Sequence, residues 1–267
     1  VDRITVVYAA TRPDARETAG KVREYLEARG IQNSIMSLAE FDKIQTPPTE
    51  GVLMVLGGDG TMLRVARRIT SSKLSVAGVN YGRAGYLCQI QPAELFQAME
   101  QILNGDFQLD KILRLAVYLD GRYLGDVLNE VYISSKRPGR IIEYSITQEG
   151  LSLVDVADGL IVATPIGSTA YALSAGGPAV HEGVDAMVVV PLASMTNLRP
   201  MVMPSNVPLR VTVSKGEPQV LVDGHTYHEL REGVVDVVKT ANSLTFIRLK
   251  GQTLFSRRLR KRLYGRA

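Results

Sequence analysis

A chain of 267 residues with 45% hydrophobic and 22% charged residues has an ordinary globular composition, which argues against a disordered or fibrous protein. Its formal charge of +4 is local. Six of the 31 basic residues lie in 253–267 with no acid among them, so the rest holds 25 basic against 27 acidic residues, which argues against a broad nucleic-acid surface. No apolar run approaches the ~18–20 residues that span a bilayer, and one cysteine with three histidines makes neither an internal disulfide nor a structural zinc site.

The start, Val1 to Ala10, is strand-like with no leader character, so a cytoplasmic protein without membrane or nucleic-acid partners is expected. The first third alternates strand and helix patterns: a strand at 4–10, a helix from Pro13 to about Arg29, a short strand near Ser34–Leu38 and an apolar run at 51–58. A helix over 62–70, a strand at 74–80 and a helix from Pro92 to Leu103 follow. Apolar β-branched runs without polar alternation suit strands buried on both faces, so an α/β domain is predicted, mainly parallel and Rossmann-like but without its glycine fingerprint.

Beyond about residue 110 short strand-like runs are punctuated by Asp120-Gly121, Glu149-Gly150 and Asp223-Gly224. This predicts a β-rich domain of layered sheets or a sandwich. The expected divisions are 1–108, 109–243, and a strand and basic helix at 244–267 packing back on the first domain. In that tail Phe255, Leu259 and Leu263 are spaced to line one helical face, with the arginines around the other.

Two segments carry chemistry. Gly57-Gly58-Asp59-Gly60-Thr61 follows an apolar strand and precedes a helix. Ligands bind at such strand ends, where glycine backbone and a helix N-terminus suit a phosphate. A carboxylate beside a phosphate is unfavourable unless it binds a metal, holds a hydroxyl or accepts a proton; a tight turn with Asp59 capping the helix is the structural alternative. Asp158 through Tyr171, followed by Ser174-Ala-Gly-Gly-Pro178, packs hydroxyls and small residues just past a strand, as a binding loop for a flat ligand does. Neither the dinucleotide fingerprint nor a Walker P-loop occurs, and His181, His225 and His228 are scattered.

Five stretches together resemble the NAD kinase family: Gly57–Thr61, Asn80 through Tyr86, Asn129-Glu130, Asp158 through Pro178, and Arg199 through Pro204. The resemblance implies transfer of a phosphoryl group from ATP, or polyphosphate, to the 2′-hydroxyl of the adenosine ribose of NAD. It also implies Mg2+, or another divalent cation, as cofactor and a homo-oligomer, dimer or tetramer. Asp59 then resembles the catalytic carboxylate, while Gly57, Gly58, Gly60 and Thr61, with Arg64 one turn on, take the place of a phosphate site. Tyr86, Asn129, Glu130, Arg140, Asp158, Thr169, Ala170, Tyr171, Ser174 and Asp223 resemble NAD contacts, Tyr86 closing over the adenine; for Asp223 a plain β-turn reads nearly as well. The resemblance assigns no metal-ligating side chain. Ala163 and Ile166 stand where family members commonly carry a hydroxyl.

GGDGT alone also resembles diacylglycerol- and sphingosine-type lipid kinases, which is the alternative activity; a non-catalytic NAD-sensing module is a third. In a loose phosphoryl-transfer transition state the nucleophile needs little charge early. A carboxylate can therefore align a ribose hydroxyl and collect its proton late.

Overall fold

The computed structural model describes residues 1–83, 85–229, 232–250 and 255–265. In chain order its first elements are β1 (Arg3–Tyr8), α1 (Pro13–Glu27), β2 (Gln32–Ser37), α2 (Leu38–Phe41), β3 (Gly51–Gly57), α3 (Asp59–Ala66), β4 (Leu74–Asn80), α4 (Leu95–Leu103) and β5 (Phe107–Ile112). There follow β6 (Leu115–Leu119), β7 (Arg122–Val127), β8 (Glu130–Ser135), β9 (Ile142–Gln148), β10 (Leu151–Ala157), β11 (Gly159–Ala163) and α5 (Tyr171–Ser174). The last are β12 (Ala186–Leu192), β13 (Met201–Pro204), β14 (Leu209–Lys215), β15 (Pro218–Val222), β16 (Thr226–Glu229), β17 (Gly233–Lys239), β18 (Leu244–Leu249) and α6 (Phe255–Tyr264).

Two compact units result, 1–112 with 242–267, and 113–241. In the first, six strands lie in the order β2-β1-β3-β4-β18-β5, parallel except for β5 against β18. The division falls after 112 because β5 pairs along its whole length with β18 as the edge of this sheet. Ala15, Ala19, Val22 and Leu26 of α1 share a core with Leu95, Ala98, Met99 and Ile102 of α4 and with Val6, Met54, Leu56 and Val79 of the sheet. Met62 of α3 lies against Gly78, whose neighbours Ala77 and Val79 point to the α1 side. Helices thus cover both faces, which is why β3 and the middle of β4, 76–79, are apolar. The strand order reverses between β1 and β3, so the crevice outside their carboxyl ends is a topological switch point, where ligands bind in open α/β sheets.

The second unit is two six-stranded antiparallel sheets, β10-β9-β14-β17-β6-β7 and β13-β12-β11-β8-β15-β16. Their inner faces share one core in which Leu115, Val117, Ile146 and Val235 of one sheet meet Val131, Ile133, Leu160 and Val189 of the other. The expected α/β and layered β-rich architectures are both present. All three turn dipeptides have positive φ at both residues: Asp120 48° and Gly121 79°, Glu149 49° and Gly150 82°, Asp223 46° and Gly224 66°. The first two close two-residue hairpins and the third opens a three-residue one, the backbone twist that hairpins require.

Two expectations are corrected. The helix expected over 62–70 runs over 59–66, with Gly58 rather than Asp59 at the N-cap. The tail is helical, yet Leu263 is 51% exposed and Arg258 is 6% exposed, so a guanidinium rather than the third apolar residue is buried. Arg266 lies outside the described residues. Among the described residues no helix is long and apolar enough to cross a membrane.

Candidate functional site

The loop after β3 is built around one carboxylate. Asp59 is the first residue of α3, and its Oδ1 accepts from the N–H groups of Leu87 (2.9 Å) and Cys88 (3.1 Å) while Oδ2 accepts from Tyr86 (2.9 Å). The side chain therefore pins the loop after β4 to the head of α3. That loop is also held by the Tyr81 N–H to the Gly57 carbonyl (2.9 Å) and by the Gly82 N–H to Asn80 Oδ1 (2.9 Å). At Gly85 (φ +65°) a Cβ would stand 2.3 Å from Asn80 Nδ2, so both backbone and space require glycine.

The first hydrogen bond of α3 runs from the Met62 N–H to the Gly58 carbonyl. The N–H groups of 59–61 thus precede the helical ladder and face outward from the strand end, as a phosphate oxygen requires. Asp59 is half-buried and Gly60 exposed, so the cradle opens to solvent. Arg64 turns to an ion pair with Asp42. Burial, with the nearby Asp59, raises the Cys88 thiol well above its usual range, leaving it a buried packing group.

The ring of Tyr86 is 8% exposed and carries the Arg258 guanidinium 4.9 Å from its centroid. Sequence reasoning noted Arg258 only as one charge of the tail; its position three residues after Phe255 does not distinguish it from its exposed neighbours.

In the second unit the same device recurs. Asp223, 3% exposed, accepts from Leu128 at Oδ2 (2.8 Å) and from Asn129 (2.8 Å) and Glu130 (3.1 Å) at Oδ1, and the Asp223 N–H returns to the Glu130 carbonyl (3.0 Å). Desolvation raises its pKa against these three bonds and the charge of Arg114. Arg114 is itself 1% exposed, 3.9 Å from the carboxylate of Asp126.

Asn129 and Glu130 are thereby presented at the start of β8, beside the end of β11, since Ala163 pairs with Glu130. Thr164, fully buried, donates from its hydroxyl to the Leu128 carbonyl (2.5 Å) and accepts from Gly167 (3.0 Å), while its N–H meets the Asn129 carbonyl (2.8 Å). A Cβ at Gly167 would lie 2.0 Å from the Asn129 carbonyl oxygen, so the loop reaches this strand only with glycine there. Thr164 stood inside the Gly- and hydroxyl-rich motif without being singled out as a site residue.

That loop carries Thr169, whose hydroxyl donates to the Ile166 carbonyl (2.9 Å), then Ala170, exposed Tyr171 edge-on to Tyr132 at 5.4 Å, and exposed Ser174. The Tyr171 N–H donates to the Glu130 carboxyl, whose pKa is pushed up to about 8 by burial first and by Asp223 second. Its Oε2 is buried without a hydrogen-bond partner among the described residues. Such a carboxyl holds its proton near neutrality and can donate to a ligand. Ala163 and Ile166 are both buried, Ala163 against Ala172, Val188 and Val190; a hydroxyl there would face an apolar cluster.

Two candidate residues lie elsewhere. Asp158 precedes β11 and Arg140 follows β8, and Gly159 pairs with Ser134 while Ala163 pairs with Glu130. Asp158 therefore sits at the far end of these strands, about 17 Å from Glu130 at ~3.3 Å per residue, and Arg140 lies in the connection from β8 to β9 beyond that end. Among the described residues no group of three or more His, Cys, Asp or Glu is placed to hold a metal.

Comparison with known proteins adds independent findings. Residues 45–107 match the ATP-NAD kinase N-terminal domain and 128–249 the ATP-NAD kinase C-terminal domain. The chain is 34% identical over 258 residues to an NAD kinase of Thermococcus kodakarensis, covering 91% of this chain and 92% of that one. It is 38% identical over 211 residues to an NAD kinase of Methanopyrus kandleri, covering 77% and 75%. The fold matches the crystal structure of an Archaeoglobus fulgidus NAD kinase in complex with ATP at a TM-score of 0.78, with 24% identity over 98% of this chain and 97% of that one.

Proposed function

Since the chain belongs to the NAD kinase family and phosphorylates NAD to NADP, we propose that Asp59 is the carboxylate that aligns the acceptor hydroxyl. The observation that carries this is its place, half-buried at the carboxyl end of β3 at the switch point, with three backbone N–H groups fixing its orientation. Oδ2 accepts a single bond among the described residues, which leaves a lone pair for a ribose 2′-hydroxyl. Asp59 orients that hydroxyl and takes its proton as the bond to phosphorus forms. Gly57, Gly58, Gly60 and Thr61 present the strand end and helix N-terminus to the donor phosphates, which are those of ATP or polyphosphate. Electrostatic stabilisation of this kind is usually the largest catalytic contribution.

With no cage of three protein ligands among the described residues, Mg2+ would be held mainly by donor phosphates, as is usual for this ion. It supplies neutralisation of charge on the transferring group.

NAD is held by Asn129, Glu130, Thr169, Ala170, Tyr171 and Ser174. Glu130, bearing its proton, donates to an acceptor of the dinucleotide, and Asp223 keeps the strand start in register. The proposal leaves Tyr86, whose ring lies under the Arg258 guanidinium, and Arg140 and Asp158 outside this group, and Arg64, paired with Asp42, outside the phosphate site. A homo-oligomer, dimer or tetramer, is part of the reading, supported by half-exposed Val202 on the edge strand β13. So is a cytoplasmic location, supported by the lone reduced, buried thiol.

The test is NADP formation from NAD with Mg2+, run in parallel with ATP and polyphosphate and read by an NADP-specific dehydrogenase. Product with either donor supports the reading and identifies the donor. NAD binding without product from either donor would sink the catalytic role of Asp59 and favour a sensing module; the relatives compared above are NAD kinases, which favours NAD over a lipid as acceptor.

A further inference from the structure

The two sides of the NAD pocket meet at one short stretch of backbone. Asn129 and Glu130 stand at the entry to β8, and the loop 164–171 brings Thr169, Ala170 and Tyr171 beside them. Every N–H and carbonyl of 128–130 is engaged by one of two residues. Asp223 accepts from the three N–H groups and returns its own N–H to the Glu130 carbonyl (3.0 Å). Thr164 takes the other two carbonyls, that of Leu128 through its hydroxyl (2.5 Å) and that of Asn129 through its N–H (2.8 Å). Of these two residues, Thr164 is the one that belongs to the loop.

Its hydroxyl has a second partner, for it accepts from the Gly167 N–H (3.0 Å). A hydroxyl has one proton, so the roles are set: it gives to the Leu128 carbonyl and receives from the Gly167 amide. One oxygen, in a residue with no exposed surface, therefore closes the turn of the loop and ties that turn to the strand entry. Beyond it the loop is knit to itself. The Ser168 hydroxyl donates to the Pro165 carbonyl (2.5 Å) and accepts from Val180 (2.8 Å), Thr169 donates to the Ile166 carbonyl (2.9 Å), and the Ala170 N–H meets the Gly167 carbonyl (2.8 Å). None of these bonds reaches 128–130. The spacing between loop and strand entry is set at Thr164 and at Gly167, where a Cβ would lie 2.0 Å from the Asn129 carbonyl oxygen. The Tyr171 N–H reaches the Glu130 carboxyl across the spacing so fixed.

We propose that Thr164 is a positioning residue for the dinucleotide: its hydroxyl holds the loop bearing Thr169, Ala170 and Tyr171 against Asn129 and Glu130, and so sets the affinity for NAD without touching NAD. This rests on the reading that NAD is held by those five residues. A ligand gripped from two sides binds best when their separation is fixed beforehand, because the ordering cost is then met in folding. Without the hydroxyl, the Leu128 carbonyl and the Gly167 N–H are left buried and unpaired, and the loop must part from the strand entry to hydrate them.

The test uses the full chain, with NAD binding measured by isothermal titration calorimetry well below the unfolding temperature and with initial-rate kinetics beside it. Thr164→Val keeps the branched shape and removes the hydroxyl; Thr164→Ser keeps the hydroxyl. The valine variant should weaken NAD binding on the order of tenfold, the equivalent of about one lost hydrogen bond. Its KM for NAD should rise in step while the KM for the phosphoryl donor stays at the wild-type value, and the serine variant should return NAD affinity close to that of the wild type. If the valine variant does not fold, Thr164→Ala, whose vacated space admits a water to both orphaned groups, carries the same expectation at smaller size. A lowered unfolding temperature with unchanged NAD affinity makes Thr164 purely structural and overturns the proposal, as does a serine variant no better than valine or an equal rise in both KM values. Asn129→Ala and Tyr171→Ala are run alongside. If they weaken NAD binding while Thr164→Val does not, the pocket reading stands and the proposal fails; if neither weakens it, the pocket reading itself is rejected and the proposal with it.

Discussion

Asp59 and Asp223 do the same thing in two unrelated settings. Each carboxylate accepts three consecutive backbone N–H groups, 86–88 for Asp59 and 128–130 for Asp223, with two bonds on Oδ1 and one on Oδ2. Each follows strand residues in a glycine-containing turn. Burial separates them: Asp59 is half-buried at an open strand end, whereas Asp223 is 3% exposed with its pKa raised by desolvation. The same hydrogen-bond geometry can therefore serve a ligand in one place and a strand entry in the other, and solvent access decides which.

The largest expected effect breaks this pair at Asp59. Asp59→Asn can keep its oxygen on Leu87 and Cys88 and turns its amide toward Tyr86, so it loses one hydrogen bond of three, at about 1–2 kcal/mol. It also loses the proton acceptor. NADP formation should fall by about 10²–10⁴-fold while NAD affinity, measured by calorimetry, stays near the wild-type value. Unchanged turnover would make Asp59 a second Asp223, purely structural.

Asp223→Ala should have the next largest effect, on stability. Three N–H groups lose a charged acceptor in a buried site, about 3–5 kcal/mol. Asp223→Asn, keeping the oxygen that accepts from Asn129 and Glu130, should recover about half of that loss in thermal unfolding.

Glu130 sharpens the comparison through pH. Its native pKa of about 8 lies above the ordinary 4.5, so the native state keeps a proton that the unfolded chain releases. The stability this represents is complete below about pH 4.5 and is lost as pH rises toward 8, at up to about 1.4 kcal/mol per pH unit. Glu130→Gln should flatten that dependence in denaturant melts at pH 5, 6.5 and 8; an unchanged slope would assign it to other groups. The smallest effect is expected at the Arg210–Asp236 pair, 2.7 and 3.0 Å but on the surface. Arg210→Ala should cost under about 1 kcal/mol, which sets the scale against which the two pinned carboxylates are read.

Much of the fold was legible in the sequence because its signals are local. The apolar runs at 51–57 and 74–80, the Pro13 start of α1 and the three Xaa-Gly turns each lie within a few residues of their consequence. Four strands went unrecognised: β5, β10, β13 and β17. β10, β5 and β13 are sheet edges with half-exposed faces, and β17 carries Asp236 outward to Arg210, so none has a clean apolar signature. At the site, the glycines and Asp59 were visible as a motif. The hydrogen bonds of Asp59 were not, because its partners lie 27–29 residues on.

By itself, then, the sequence determined the family, the α/β and β-rich character of the two parts, and the residue types available at each loop. Those follow from composition, period and short motifs, which depend on neighbours along the chain. Only the tertiary structure decided that β18 enters between β4 and β5, that Asp223 turns to the backbone of 128–130, and that Arg258 rather than Leu263 is buried. Each of these is a contact between distant segments, decided by packing and by the need to satisfy every buried polar group, and no local pattern encodes the partner.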